Sequence, residues 1–203
     1  MTIHLHKGDL PGGLSFGPAV AVDTETMGLN PRRDRLCLVQ LSGGDGVCHL
    51  VQISGGPETA PRLRALLANP AVTKIFHFAR FDLGVLKQQL DVTCAPIYCT
   101  KLASKLARTN IERHGLKDLC RDLLGVEVSK QQQTSDWGAA TLTPEQLEYA
   151  ASDVRNLHAL RDRLDTLLAR EGRRELAQAC FAFLPTLAAL DVTEFDGLEL
   201  FSH

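Results

Sequence analysis

The amino-acid sequence predicts an α/β fold, in which a mixed sheet of five β-strands is flanked by helices. Three segments near the N-terminus have strand-like composition and are joined by Gly, Asp and Asn residues that favour turns. Helix and strand patterns then alternate, and helical patterns fill most of the chain beyond residue 100. Strands that run consecutively and then alternate with helices are typical of a mixed sheet covered on both faces.

The predicted elements follow from apolar periodicity and from the positions of turn-forming residues. Strands are predicted at residues 19–24, 36–42, 47–53, 73–78 and 97–99. Helices are predicted at residues 58–67, 79–90, 100–107, 115–124 and 144–170, and again from 173. The helix at 144–170 has the clearest start, because Thr143 can cap it and Pro144 takes the first helical position.

Length and composition favour a single domain that includes residues 1–203. A chain of 203 residues with 44% hydrophobic residues can form one substantial core. We expect the core at about residues 18–170 and an apolar helical tail at about 173–203. No apolar run reaches membrane-spanning length, and the N-terminus lacks the apolar centre of a signal peptide. We therefore expect no membrane partner. The six cysteines form no Cys-x-x-Cys pair, which favours a reduced, cytoplasmic protein over a disulfide framework or a zinc site.

The charge distribution argues against a protein that binds long duplex nucleic acid. The net charge is −2, whereas such proteins usually carry a broad basic surface. Positive charge is concentrated locally between residues 101 and 130, where Lys101 and residues 113–117 are the candidates for phosphate contact. These side chains could contact phosphate groups, or they could lie on solvated helix faces.

Two acidic residues, Asp23 and Glu25, follow the first predicted strand. Alternation along a strand places both carboxylates on the same face of the strand end, where both could reach one metal ion. A solvated acidic pair is the alternative, because acidic residues are commonly exposed.

A third acidic residue, Asp82, lies in the first turn of the helix predicted at 79–90. An acidic side chain at this position also interacts favourably with the helix dipole, which is the alternative to a role in a site. His77 and Arg80 lie nearby and could contact substrate phosphates, or could be ordinary surface residues.

The third acidic segment lies on the helix predicted at 144–170. Tyr149 and Asp153 are four residues apart, so both project from one helical face. A buried Asp on this largely apolar helix is costly unless it is paired or binds a metal. Together the three segments supply four carboxylates and a phenol, which indicates a two-metal nuclease site that orients water for attack on a phosphodiester.

The order of these residues resembles the DEDD superfamily of 3′–5′ exonucleases. The position five residues before Asp153 is Glu148 instead of a histidine, so the resemblance is to the tyrosine subtype. Residues 99–103, 114–119 and 135–137 are similar to the ribonuclease D branch, and the chain length and the segment DTETMGLN are similar to its short nanoRNase C group. The resemblance covers residues 18–170 and implies a ribonuclease H-like sheet.

The resemblance implies a 3′–5′ exoribonuclease that hydrolyses dinucleotides and very short RNA to 5′-mononucleotides. Two divalent cations, Mg²⁺ or Mn²⁺, would be its cofactors. Asp23 would bridge both ions and Asp82 would hold one of them, while Glu25 and Asp153 would complete the shell of the other. Tyr149 would orient the attacking water, because a phenol with a pKa of about 10 is a weak base.

The resemblance also implies substrate contacts around the acidic residues. Leu29 would wedge against the bases, and Trp137 could stack on a base or could hold its own loop in place. The predicted contact residues are Thr24, Met27, Gly28, Leu29, His77, Arg80, Phe81, Lys101 and Trp137.

Two other functions remain open at this point. One is a general ribonuclease D-like exonuclease that acts on longer RNA, such as tRNA 3′ ends, or on DNA. The other is a nucleic-acid-binding domain without activity, although the four acids and the tyrosine are all present.

Apolar patches in residues 181–201 would either pack on the domain or form a subunit interface. Since the related short enzymes form homo-oligomers, we expect a homo-oligomer.

Overall fold

One mixed sheet lies at the centre of the molecule. The structure is a computed structural model that describes residues 1–128, 132, 134–193, 195 and 199–201. Within these residues the sheet has six strands, which are β1 (Thr2–Lys7), β2 (Ala19–Thr26), β3 (Leu36–Ser42), β4 (Val47–Gln52), β5 (Thr73–Phe76) and β6 (Ile97–Cys99). Their order across the sheet is β1-β4-β3-β2-β5-β6. The β2–β3 and β3–β4 pairs are antiparallel, whereas β1–β4, β2–β5 and β5–β6 are parallel.

The predicted α/β class and its five strands are confirmed, but the predicted number of strands is wrong by one. The missed strand, β1, lies at the edge of the sheet and pairs with β4. Its sequence alternates polar and apolar residues, and all six of its residues are exposed or half-buried. By contrast, every residue of β3 is buried. An edge strand with little burial gives a weak apolar signal, so its pairing with β4 was not visible locally.

The helices cover the sheet and pack on one another. They are α1 (Pro61–Ala68), α2 (Ala79–Leu90), α3 (Thr100–Ala107), α4 (Leu116–Leu119), α5 (Pro144–Arg155), α6 (Leu157–Arg170) and α7 (Arg174–Asp191), with a π-helical segment at Cys120–Leu124 and 3-10 turns at Pro57–Thr59 and Glu199–Phe201. None of the helices in the described part of the chain is long and apolar enough to cross a membrane.

The helix predicted at 144–170 is in fact two helices, which meet at Asn156. Asn156 has φ −105° and ψ −2°, away from the ideal helical values. The two helices pack on different parts of the molecule: α5 lies on β2, β3 and β4, whereas α6 packs mainly on α3. Continuous apolar periodicity hid this change of direction, because each helix has its own buried stripe.

The predicted start of α5 is confirmed as a capping box. The Thr143 hydroxyl oxygen accepts a hydrogen bond from the Gln146 backbone N–H at 3.3 Å, and the Gln146 side-chain oxygen accepts one from the Thr143 N–H at 2.8 Å. The Gln146 amide nitrogen also donates to the Ser135 hydroxyl and to the Asp136 carbonyl. The first turn of α5 is therefore tied to the segment that precedes Trp137.

The C-terminal tail packs on the domain through one face of α7. Phe181, Leu184 and Leu187 are buried on this face, and α7 lies against α2. Phe183 and Phe201 are 41% and 59% exposed, and their rings meet edge to face at 5.7 Å. Residues 194, 196–198 and 202–203 of the tail lie outside the described residues. The tail thus packs on the domain and still exposes an apolar patch, and the homo-oligomer stays a prediction.

Candidate metal-binding active site

The three predicted acidic segments meet in one cavity of about 590 Å³. Asp23 and Glu25 come from β2, Asp82 from the first turn of α2, and Asp153 from α5. One carboxylate oxygen each from Asp23, Glu25 and Asp153 lies within 4.8 Å of the others. Asp82 and Tyr149 line the same cavity, which we call the acidic cavity. Oxygen donors at this spacing fit a hard divalent cation.

Asp82 is held beside these residues by Thr24. The Thr24 hydroxyl donates a hydrogen bond of 2.7 Å to Asp82 Oδ1, and both residues are buried. Because side chains alternate along β2, Thr24 points to the opposite side of the strand from Asp23 and Glu25. The end of β2 therefore contacts acids of both helices: Asp23 and Glu25 lie near Asp153 of α5, and Thr24 binds Asp82 of α2.

A residue that sequence reasoning missed, Gln40, contacts two of the acids. Gln40 is the cross-strand partner of Asp23 and is fully buried. Its amide nitrogen lies 3.4 Å from Asp23 Oδ2 and 3.4 Å from Glu25 Oε1. Its amide oxygen has no hydrogen-bond partner among the described residues. The signal in the sequence was a lone amide in the otherwise apolar run 36–41, because a buried polar group requires a partner.

Three carboxyl groups of the acidic cavity hold protons more tightly than exposed ones do. Burial raises the pKa of Asp23 well above its usual range, and the charges of Asp82, Asp153 and Glu25 raise it further. Burial and the charges of Asp153 and Asp82 raise the pKa of Glu25 to about 9. Burial also raises the pKa of Asp82 to about 7, although the Thr24 hydrogen bond acts in the opposite direction. Cations that replace these protons relieve the repulsion, so the donor set fits divalent metal ions.

Tyr149 lies one helical turn before Asp153 on the same face of α5. Burial, followed by the charges of Asp153 and Glu25, raises the pKa of its phenol further above the usual value. The phenol therefore stays protonated at neutral pH and can donate a hydrogen bond. The ring of Trp137 lies against it, with ring centroids 5.9 Å apart.

Most of the predicted contact residues line the acidic cavity. They are Thr24, Met27, Gly28, Leu29, His77, Phe81, Lys101 and Trp137. Leu29 is 88% exposed and Met27 52%, so the turn after β2 presents apolar side chains to an incoming ligand. Arg80 is not among the lining residues. Its guanidinium donates to both carboxylate oxygens of Asp191 on α7, at 2.5 and 2.7 Å.

The surroundings of Trp137 favour the interpretation that its ring holds its own loop. The side chain is buried, and the indole N–H has no hydrogen-bond partner among the described residues. Its loop is fixed by the strands at the β1 edge of the sheet, because Lys7 donates to the Ala140 carbonyl at 3.0 Å and Gln52 donates to the Ala139 carbonyl at 2.8 Å.

Phe78 is a second residue that sequence reasoning missed. It has φ 67° and ψ 45°, which is the left-handed region that a bulky residue enters at a cost of about 1–3 kcal/mol. Its ring is 48% exposed, lines the acidic cavity and lies 3.9 Å from the Lys101 ammonium group. The sequence prediction placed Phe78 at the end of a strand, but β5 ends at Phe76.

His77 is oriented by a short hydrogen-bonded chain. The Thr100 hydroxyl donates to the Phe76 carbonyl at 3.2 Å, and His77 Nδ1 lies 2.9 Å from the same hydroxyl oxygen. Since the hydroxyl proton is already used, Nδ1 is the donor in this hydrogen bond.

Comparisons with known proteins agree with this geometry. The sequence profile of a family described as 3′–5′ exonuclease matches residues 12–169. Ribonuclease D of Acidiphilium cryptum is 38% identical over 160 residues, which is 79% of this chain and 40% of that protein. The chain thus spans about two fifths of the length of this curated relative.

Two proteins of known structure are similar over much of the chain. Brucella melitensis NrnC with bound Mg²⁺ has 50% sequence identity and a TM-score of 0.94, and the match covers 100% of both chains. The same protein bound to pGG has 51% identity and a TM-score of 0.95, over 100% of this chain and 99% of that one. Ribonuclease D of Escherichia coli has 25% identity and a TM-score of 0.74, over 85% of this chain and 45% of that one. Because the family profile matches most of the sequence and includes all four acids, the chain belongs to the 3′–5′ exonuclease family.

Proposed function

We propose that this 3′–5′ exonuclease hydrolyses dinucleotides and other very short RNAs to 5′-mononucleotides. The observation that carries the proposal is the convergence of four carboxylates and a phenol in one cavity of about 590 Å³. A cavity of this volume is in the range that encloses a small ligand, whereas a long strand requires an extended groove. The pGG-bound NrnC structure supports the same substrate class, because that chain matches this one from end to end.

The four acids would hold two divalent cations, Mg²⁺ or Mn²⁺. Asp23, Glu25 and Asp153 already bring donor oxygens within 4.8 Å of one another, and Asp82 is fixed nearby by Thr24. When bound, two such ions activate water and stabilise the leaving oxygen of a phosphodiester. Gln40 holds the Asp23 and Glu25 carboxylates side by side, so their donor oxygens point the same way before any ion arrives.

Tyr149 would orient the water that attacks the phosphorus atom. Its phenol remains protonated at neutral pH, since burial and the neighbouring carboxylates raise its pKa. A protonated phenol donates a hydrogen bond and fixes the position of a water oxygen, whereas a general base must accept a proton. Packing against Trp137 fixes the direction of the phenol.

The substrate would lie between two exposed features of the acidic cavity. The turn after β2 presents Met27 and Leu29 to the bases, and the Phe78 ring offers a second flat apolar surface. Lys101 lies over that ring and would attract a phosphate group of the substrate.

A time course on 5′-labelled RNAs of two to about ten nucleotides tests the proposal directly. Both Mg²⁺ and Mn²⁺ should be used, with Asp23→Ala as the inactive control. We expect the dinucleotide to be cleaved much faster than every longer RNA. A rate that stays constant or rises with length would favour a general ribonuclease D-like enzyme. Undiminished hydrolysis by Asp23→Ala would contradict the metal assignment itself.

A further inference from the structure

Three histidines form a cluster on the sheet, on the face opposite Asp23 and Glu25. His4 and His6 point to the same side of β1, and His49 is the register partner of His4 on β4. The rings of His4 and His49, and those of His6 and His49, stack with centroids 5.3 Å apart. Phe16 covers one side of His49, edge to face at 5.5 Å. We call these three residues the histidine cluster.

Two nitrogen atoms of the histidine cluster face each other across a hydrogen bond. His6 Nε2 lies 3.0 Å from His49 Nδ1, so a metal ion that took both nitrogens as ligands would replace the shared proton. Two imidazole nitrogens bound to one tetrahedral ion at about 2.0–2.1 Å lie about 3.3 Å apart, so a small movement admits the ion. His4 is exposed, and its ring centroid is 6.4 Å from that of His6. The three histidines do not bring one nitrogen each within 4.8 Å of one another, so the ion would take its remaining ligands from water or from His4 after its side chain rotates.

The protonation state of the cluster suits a metal ion. Burial, followed by the charge of His4, lowers the pKa of His6 below its usual value. Burial also lowers the pKa of His49, and His6 and His4 lower it further. Both rings are therefore neutral at neutral pH, which is the form that binds metals.

We propose that the histidine cluster binds one borderline transition-metal cation, such as Zn²⁺, Ni²⁺ or Cu²⁺, and thereby links β1 to β4. Imidazole nitrogens favour these ions, whereas the carboxylates of the acidic cavity favour Mg²⁺ and Mn²⁺. The two sites lie on opposite faces of the sheet and differ in donor chemistry, so each binds its own class of ion.

The bound ion would stabilise the edge of the sheet nearest the Trp137 loop. β1 is an edge strand that pairs with β4. Lys7 directly follows His6 and, together with its register partner Gln52, holds the Ala139 and Ala140 carbonyls. A cross-link between His6 and His49 therefore strengthens the strand pair that fixes this loop.

Electron paramagnetic resonance with Cu²⁺ tests the site, because nitrogen ligands split the copper signal and carboxylates do not. The full chain is titrated with one equivalent of Cu²⁺ in excess Mg²⁺, which occupies the acidic cavity. We expect coupling to at least two nitrogens in the wild type, and its loss in His6→Ala/His49→Ala. His158→Gln, which removes an imidazole outside the cluster, is the matched control and should keep the coupling.

Thermal unfolding gives an independent measurement. Zn²⁺ at about 100 times its dissociation constant should raise the Tm of the wild type by about 5 °C or more, and should leave that of the double variant unchanged. If His6→Ala/His49→Ala folds poorly, His6→Gln alone must weaken Zn²⁺ binding. Coupling to fewer than two nitrogens in the wild type, or equal Zn²⁺ binding by wild type and His6→Gln, would overturn the proposal.

Discussion

Replacing Glu25 with Gln in the metal-free protein tests the electrostatics of the acidic cavity. The pKa of Glu25 is about 9 in the folded protein, against 4.5 for an ordinary glutamate. The folded protein therefore binds the Glu25 proton more tightly than the unfolded chain does. The stability gained from this proton is fully present below pH 4.5 and is lost as the pH rises through 9. Between pH 6 and pH 8 the folded state keeps a proton that the unfolded state has released.

The size of the effect follows from proton linkage. One retained proton lowers the free energy of unfolding by about 1.4 kcal/mol for each pH unit. Over the two units from pH 6 to pH 8, Glu25 therefore accounts for a loss of up to about 2.7 kcal/mol. Because Gln does not titrate, the free energy of unfolding of Glu25→Gln should not show this part of the decrease between pH 6 and pH 8. Water that enters the cavity screens the charges and reduces the figure, but does not change its sign.

Urea denaturation at pH 6, 7 and 8 in the presence of EDTA measures the difference. We expect the free energy of unfolding to fall more steeply with pH in the wild type than in Glu25→Gln. Mg²⁺ should remove most of the wild-type slope, because cations replace the protons and are bound most tightly at high pH. Equal slopes in the two proteins, or equal Mg²⁺ stabilisation at pH 6 and pH 8, would refute the reasoning.

Four further variants test other parts of the structure. Tyr149→Phe should lower kcat about 100-fold with little change in KM, because in the proposed mechanism the phenol orients the water and does not bind the substrate; single-turnover kinetics on a dinucleotide measures this. Gln40→Leu should raise the Mg²⁺ concentration needed for half-maximal activity about 10- to 100-fold, with recovery at high Mg²⁺, as for other residues that hold metal ligands; an Mg²⁺ titration that matches the wild type would contradict it. Arg80→Ala should lower the free energy of unfolding by about 1.5–3 kcal/mol, since it breaks the bidentate ion pair with Asp191 on α7. Urea denaturation measures this, and an unchanged midpoint would mean that the ion pair does not stabilise the fold. Phe183→Ser combined with Phe201→Ser should lower the mass measured by light scattering if the exposed patch is a subunit interface, and an unchanged oligomeric mass would exclude that surface.

The residues of the acidic cavity could be predicted from the three acidic segments taken together, although each segment alone is also compatible with ordinary surface acids. Asp23 and Glu25 follow a buried strand, and Asp153 lies on an apolar helix with a clear N-cap. Their convergence was inferred from their order in the chain. Gln40 escaped prediction because its role depends on cross-strand register with Asp23, which a single strand does not reveal.

Other features depend on contacts between distant segments. The hydrogen bond from Lys7 to the Ala140 carbonyl joins residues 133 positions apart, and no local pattern predicts it. The left-handed backbone of Phe78 contradicts the strand propensity of its neighbours. Phe78 lies between the end of β5 and the start of α2, the helix that carries Asp82 into the acidic cavity.

The position of the site at the end of β2 has a physical cause. Further back, β2 is buried on both faces from Ala19 to Val22, and four carboxylates could not be accommodated there. At its last residues the strand leaves the packed core and faces a cavity that water and ions can enter. Alternation then directs Asp23 and Glu25 towards α5, and Thr24 towards Asp82 on α2. Residues 23–25 thereby lie close to acids from two helices, Asp153 of α5 and Asp82 of α2, which a position in the buried middle of the strand could not do.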